Sequence, residues 1–237
     1  VAPDLRRRAT TATELMDDPN CDAELLDRTY AQFPLVNRFV AGWRGIYRRD
    51  IRPLLSAERP SRLLDIGAGG ADVPRALLAW AARDGLLLRA VAVDPDPRAY
   101  AWASARPTTG LQVSRAHSSE LVADGERFDV VISNHVLHHL DDAELSTVLA
   151  DSEELLTPGG IAVHSDIARS RFAYAAFAAG TWPFQSTLLR RSFIRADGLT
   201  SIRRSFTPGE LRSVAPAGWV VRTGVPSRLD LSYRRAA

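Results

Sequence analysis

The 237-residue chain is 46% hydrophobic and 24% charged, ordinary values for a soluble globular protein, and is long enough for one full α/β domain with a cap or for two small domains. Its single cysteine, Cys21, excludes a disulfide framework within the chain and fits a reducing cytoplasm. The 30 basic residues (all arginine) interleave with 28 acids for a net charge of +2, which excludes the continuous basic face of a nucleic-acid-binding protein, and no apolar run is long enough for a membrane span.

Residues 1–12 read as a loose tail, without the apolar core of a signal peptide. From 13 to 55 the pattern is mostly helical: Leu15, Leu25, Leu26, Phe33, Val36, Phe39, Val40 and Trp43 form an apolar stripe at spacings of three and four. Pro60 and Ser61 end it. "RLLDIG" (62–67) is a short apolar strand that runs into glycines, and "ADVPRALLAWAARDG" (71–85) is a helix stopped by Gly85. "LRAVAVD" (88–94) is a second strand; Asp96 then caps a helix that begins with Pro97. "LQVSRA" (111–116) and "FDVVISN" (128–134) are strands three and four. "DDAELSTVLADSEELL" (141–156) is a helix ended by "TPGG", and "IAVHSD" (161–166) is strand five. The stretch 169–204 is irregular, "TPGELRSVA" (207–215) is a short helix, and 219–235 reads as two strands joined by a turn. Strands alternating with helices predict a mostly parallel, doubly wound sheet. The organisation expected is a helical extension or lid over 1–55 and a ligand-binding domain over 56–237, with a cap insertion at about 169–205.

In such a sheet, ligands bind beyond the carboxyl ends of the strands. The unusual residues all fall there: Gly67, Gly69 and Gly70 after strand one, Asp94 after strand two, His135 to His139 after strand four, and Asp166 after strand five. A dinucleotide loop needs a third glycine where this chain has Asp72. Asp65 and Asp72 bracket the loop with negative charge, a poor setting for a diphosphate and a good one for an ammonium or sulfonium group.

Asp65-Ile66-Gly67-Ala68-Gly69-Gly70-Ala71-Asp72 resembles the first motif of the class I S-adenosylmethionine-dependent methyltransferases. Asp94 after "AVAV" matches the acid that holds the ribose hydroxyls, "FDVVISNHVLHHL" (128–140) resembles the fourth-strand motif, and "LLTPGG" (155–160) the turn before strand five. Four motifs stand in order over roughly 55–165. The resemblance implies a Rossmann-like, seven-stranded, mostly parallel sheet closed by a C-terminal antiparallel hairpin. It implies S-adenosyl-L-methionine as cofactor, leaving as S-adenosyl-L-homocysteine. The cofactor set it implies is Asp65, Gly67, Ala68, Gly69, Asp72, Asp94, Pro95, His117, Ser118 and Asn134. One departure stands out. After strand three the family often carries Asp-Ala, whose acid reaches the adenine amino group; here His117 and Ser118 occupy that place, so adenine recognition falls to the backbone or to Ser118.

Methylation of a phenol oxygen needs a base, and histidine titrates near neutrality. The resemblance to O-methylating members points to His138, with His135 and Asp166 as the next candidates; the competing role for each is packing, lining or loop capping. His139 is expected to point away from the site, and His164 to be a satisfied core residue. Adjacent histidines without a third ligand at fixed spacing are not read as a metal site. Aromatic residues in the N-terminal helices (Tyr30, Phe33, Trp43, Tyr47) and in the insertion (Phe172, Tyr174, Phe177, Trp182, Phe184) are candidates to wall an apolar acceptor pocket. The resemblance implies methyl transfer to the hydroxyl of a small phenolic or polyketide-like metabolite of secondary metabolism. C-methylation of a quinol-like ring and a non-catalytic cofactor-binding module are the alternatives. The sequence leaves the oligomeric state open.

Overall fold

The computed structural model describes residues 3–237, apart from the side chains of Arg38, Phe39 and Val40; the expected stripe positions Phe39 and Val40 therefore lie outside the described side chains. Its strands are β1 (Ser61–Ile66), β2 (Leu88–Val93), β3 (Leu111–Ser114), β4 (Phe128–Asn134), β5 (Leu156–Ile167), β6 (Val220–Gly224) and β7 (Arg228–Arg234). They form one sheet in the order β3-β2-β1-β4-β5-β7-β6. The first five pair in parallel, and β7 is antiparallel to both β5 and β6. The Rossmann-like sheet and its closing hairpin are as the sequence implies.

The central strands read as continuous apolar runs because both of their faces are covered. Alternate residues enter opposite core layers: Leu64, Ile66 and Val131 in one, Leu63, Val130 and Ile132 in the other. Fully burying each such side chain contributes roughly 1.5–3 kcal/mol.

The helices are α1 (Ala23–Val40), α2 (Trp43–Ile46), α3 (Asp72–Arg83), α4 (Pro97–Ser104), α5 (Ser118–Ala123), α6 (Asp142–Leu155), α7 (Arg171–Thr181), α8 (Ile194–Arg204) and α9 (Pro208–Val214). Among the described residues no helix is long and apolar enough to cross a membrane. The N-terminal segment is built into the second core layer: Trp43, Ile46, Tyr47 and Ile51 pack there with Leu63 and Leu77.

Three local readings change. "TPGG" lies inside β5, because α6 hands directly to extended backbone at Leu156, which pairs with Phe128. A register irregularity between Phe128 and Val130 absorbs the extra residues. The "HSSEL" stretch forms the short helix α5, started by Glu120 accepting from the His117 amide at 2.8 Å. The irregular insertion holds α7 and α8. Their contact depends on Gly198, where a Cβ would lie 2.3 Å from the Phe177 ring.

The strand order puts a switch point between β1 and β4, with β2 and β3 on one side and β5 on the other. The loops after β1 and β4 therefore face each other across a crevice.

Candidate active site

A cavity of ≈ 740 Å³ opens at that crevice, lined on one side by the glycine loop and on the other by the loop after β4. The glycine loop makes three left-handed turns, at Gly67 (φ 66°), Gly69 (φ 52°) and Ala71 (φ 56°). At Gly67 space is also limiting, since a Cβ would stand 2.7 Å from Val136 of the opposite loop. Asp94 pins the loop: its carboxylate accepts from the Gly69 amide at 2.8 Å and from the Asp96 amide at 2.9 Å. The Tyr30 ring of α1 covers Gly69 and Gly70 and packs on Trp102 at 5.7 Å between centroids.

Three carboxyl groups ring this end. Asp65 is 1% exposed and its Oδ1 has no hydrogen-bond partner among the described residues. Burial, then the neighbouring Asp72 and Asp94 charges, hold its carboxyl well above the usual range. Burial also raises Asp72, which accepts from Asn37 Nδ2 at 3.0 Å, and raises Asp94 despite its two amide donors. Among the described residues none of the three forms a salt bridge. The nearby Arg75 guanidinium instead bonds Thr108 and the carbonyls of Gly70, Ala103 and Arg106. One buried and two partly buried acids without a salt-bridge partner make a site that favours a cation.

At the other end, Ser118 donates to Asp151 Oδ2 at 2.6 Å, while the exposed His117 caps α5 through its main chain. Pro95 lines the wall beside Asp94. Asn134 also lines the cavity and accepts from Trp43 Nε1 at 2.8 Å through its Oδ1.

The histidines after β4 sit around Asp166, at the end of β5. His138 is 1% exposed, with Nδ1 2.9 Å from each Asp166 oxygen and Nε2 3.1 Å from Glu14 Oε1. Burial works against a charged ring, but Asp166 and then Glu14 outweigh it and push the imidazole up to about 10. Burial would likewise raise Asp166 and Glu14, yet the histidines hold both carboxyls below the usual range. His138 thus has no free nitrogen and carries its proton at neutral pH, which does not suit the base role that the sequence gives it first. His135 differs. It is 28% exposed at the cavity wall, held by a left-handed turn (φ 57°), with Nδ1 3.3 Å from Asp166 Oδ1. No partner for its Nε2 occurs among the described residues.

A methyltransferase-domain family model matches residues 40–206, well over half of the chain. The chain belongs to this methyltransferase family. Among curated relatives, it is 35% identical over 130 residues to a ubiquinone biosynthesis O-methyltransferase of Azorhizobium caulinodans, covering 54% of this chain and 47% of that one. A second, from Dinoroseobacter shibae, is 30% identical over 151 residues, covering 60% and 57%. The chain thus spans about half the length of the curated relatives it matches. The fold is similar to that of a plantazolicin methyltransferase solved with S-adenosylhomocysteine (TM-score 0.57, 13% identity, 90% of this chain and 96% of that one). It is also similar to human N-acetylserotonin methyltransferase with S-adenosylmethionine (TM-score 0.59, 13% identity, 95% and 63%).

The methyltransferase cavity includes residues that the sequence did not single out. Asp151 faces it from α6, four residues after Thr147, so the helical period carries both onto one wall. Glu14 and Asn37 reach it from the N-terminal segment with no local motif to mark them. Of the aromatic candidates, Tyr30, Phe33 and Phe177 line it. Trp43 and Tyr47 are buried elsewhere, Tyr174 packs against the cluster of Ile167, Ala173 and Ile202, and Phe172 and Trp182 are 67% and 64% exposed. Phe184 instead lines an apolar second cavity of ≈ 400 Å³, and Phe177 borders both. His139 belongs to the site, contrary to its expected outward direction: Nε2 lies 3.8 Å from Glu14 and Nδ1 3.3 Å from Asp17. His164 is the expected satisfied core residue, between Ser133 at 2.8 Å and Ser152 at 3.2 Å.

Proposed function

We propose that this methyltransferase O-methylates a small aromatic, largely apolar acceptor, with His135 as the base. The observation that carries this is the His135–Asp166 pair: a partly exposed imidazole at the cavity wall, with one nitrogen on a buried carboxylate and no partner for the other among the described residues. When bound, S-adenosylmethionine supplies an electrophilic methyl group on a sulfonium. The chain's residues fit that molecule. The orphaned Asp65 Oδ1 and the Asp72 carboxylate suit its cationic methionine end. Asp94 retains lone pairs for two ribose hydroxyls. Gly67, Ala68, Gly69 and Pro95 offer main chain at close approach, and Asn134 has an amide N–H₂ free to donate. Asp151, steadied by Ser118, is placed to accept the adenine amino group, standing in for the acid missing after β3; His117 contributes its main chain alone.

Residues 1–55 act as a lid over the domain of 56–237, and the insertion at 169–205 walls the acceptor. Positioning the reactants and excluding water supply most of the rate. His135 Nε2 would take the acceptor's hydroxyl proton, Asp166 would hold the ring and stabilise the imidazolium, and bound S-adenosylmethionine would supply the methyl group and leave as neutral S-adenosylhomocysteine. The O-methyltransferase names of the relatives support oxygen as the target. The deciding experiment is a labelled methyl-transfer screen over phenols, quinols and polyketide-like aromatics. Label confined to ring carbon would favour C-methylation of a quinol-like ring. No transfer to any acceptor, despite tight cofactor binding, would favour a binding module.

Asp94→Ala is expected to weaken S-adenosylmethionine binding by about 1.5–3 kcal/mol, the scale of hydrogen bonds to a charged group. In the wild type, affinity is expected to fall as pH drops, because the raised carboxyls must lose protons to receive a cation. Calorimetry in two buffers of different ionisation enthalpy checks both points; binding without proton release toward the acid end would contradict the charge argument.

Phe177→Ala is expected to raise the acceptor KM by about 10-fold or more, the scale of a buried Phe contact, with cofactor affinity unchanged. Its ring divides the two cavities. Equal loss of both affinities would assign Phe177 to general packing.

A further inference from the structure

We propose that Glu14, His138 and His139 form a site for a divalent transition metal at the wall of the methyltransferase cavity. The sequence hides it, because the third ligand lies 124 residues before His138. Each residue offers one ligand atom, and the three atoms lie within 4.8 Å of one another. His138 Nε2 is 3.1 Å and His139 Nε2 3.8 Å from the same Glu14 oxygen. Ligands at 2.0–2.2 Å around a tetrahedral ion stand about 3.3–3.6 Å apart, so a small closure of this group suffices.

The far sides of the two rings supply a second, independent observation. His138 Nδ1 sits on Asp166 at 2.9 Å and His139 Nδ1 on Asp17 at 3.3 Å. Each imidazole therefore has one nitrogen on a carboxylate and the other turned toward Glu14. That pairing orients the ring and raises ligand basicity, the usual support of a metal-bound histidine, and the metal would displace the proton that His138 Nε2 otherwise shares with Glu14. Adjacent rings on a helical or extended backbone seldom converge. Here they do, with centroids 4.3 Å apart and planes tilted by 35°.

The carboxylate arm is also held in place. Ser201 donates to Glu14 Oε1 at 2.8 Å, and the Leu15 and Met16 amides donate to Asp197 at 2.7 and 3.0 Å. Glu14 and Asp17, ligand and support, thus come from one anchored turn. The alternative trio of His135, His138 and Asp166 is weaker, because there the far nitrogen of His135 has no supporting carboxylate among the described residues.

Two imidazoles and one carboxylate suit zinc, iron(II) or cobalt(II) better than magnesium or calcium. Three protein ligands leave one position open, as in sites that take a substrate oxygen. Glu14, His138 and His139 all line the cavity, so that position is available to an oxygen of the acceptor. The metal site stands whether or not the acceptor is a phenol.

The test is Co²⁺ binding to the untagged, chelator-stripped full chain, followed by visible absorption and calorimetry, with Zn²⁺ as competitor. We expect one equivalent with the strong d–d bands of a four-coordinate ion, displaced by Zn²⁺. Glu14→Gln and His139→Gln should each weaken Co²⁺ at least 100-fold, and Asp17→Asn, which alters only support, by about 10–100-fold. His139→Gln is the variant that separates loss of a ligand from loss of folding. His139 is 32% exposed, so this variant keeps the test decisive if loss of the buried Glu14 carboxylate unfolds the chain. No stoichiometric uptake, or uptake that survives all three substitutions, overturns the proposal. The cluster would then be a purely ionic contact between an imidazolium and two carboxylates.

Discussion

His135→Gln is expected to lower turnover by about 10²–10⁴-fold, the span of a lost general base, and to leave S-adenosylmethionine affinity nearly unchanged. Glutamine keeps a side-chain nitrogen close to Asp166 and the polarity of the wall, but it cannot take a proton. The pH limb that a general base imposes on turnover should be missing in the variant. His138→Gln is the control that gives the result meaning. Its ring is 1% exposed and joins Asp166 to Glu14, so its loss should appear first as a lower melting temperature. A His135 variant with full turnover on an authentic acceptor, or a His138 variant that loses only the pH limb, would return the base to His138. The distinction depends on geometry alone: the two histidines share a loop and a carboxylate, but His138 has both nitrogens bonded while His135 has one without a partner among the described residues.

That contrast marks how far the sequence can be read. The parallel sheet is legible because each central strand is buried on both faces and bounded by glycine, proline or an acid; β4 runs over the expected 128–134. The glycine loop and Asp94 are legible for a related reason. They belong to one β-α-β unit, and the Gly69 amide bonding Asp94 closes a contact that the fold class already requires. The insertion is not, because α7 is Ala-rich on every side and its specific partners, such as Gly198 and Arg195, lie in another helix. The histidine cluster is less legible still. Periodicity places His138 and His139 on a loop, but their chemistry is decided by Glu14, Asp17 and Asp166, which reach them through tertiary structure. The same holds for Asp151 behind Ser118 and Asn37 on Asp72. Side chains whose roles depend on contacts within one loop can be assigned from sequence; those whose roles depend on distant partners need the fold.

Asp166 is where the two kinds of information meet, and its removal should have the largest effect on stability. Asp166→Ala is expected to cost about 3–5 kcal/mol of unfolding free energy at pH 7, the scale for breaking a buried charged pair by deleting one partner. The carboxylate is 3% exposed and bonds the His138 ring at 2.9 Å, the His138 amide at 3.0 Å and the Ile167 amide at 2.7 Å. Deleting it leaves those donors buried and unpaired, and the imidazolium faces Glu14 alone. Burial by itself would raise the carboxyl; His138 and His135 instead hold it well below the usual range. The sign follows from that depression. The folded state binds the proton less readily than the unfolded chain, so this stabilisation is complete above the unfolded value of about 4 and fades as pH falls further. Urea unfolding of wild type and variant, with chelator present, should therefore give its widest gap between the unfolded carboxyl and histidine values of about 4 and 6.5, and a slowly shrinking one above that, because His138 must take up a proton on folding. Below about pH 4 the gap should narrow. A loss under about 1 kcal/mol at pH 7 would mean that water satisfies these donors as well as Asp166 does. The cluster would then be too loosely held to orient His135, and the base assignment would lose its structural footing.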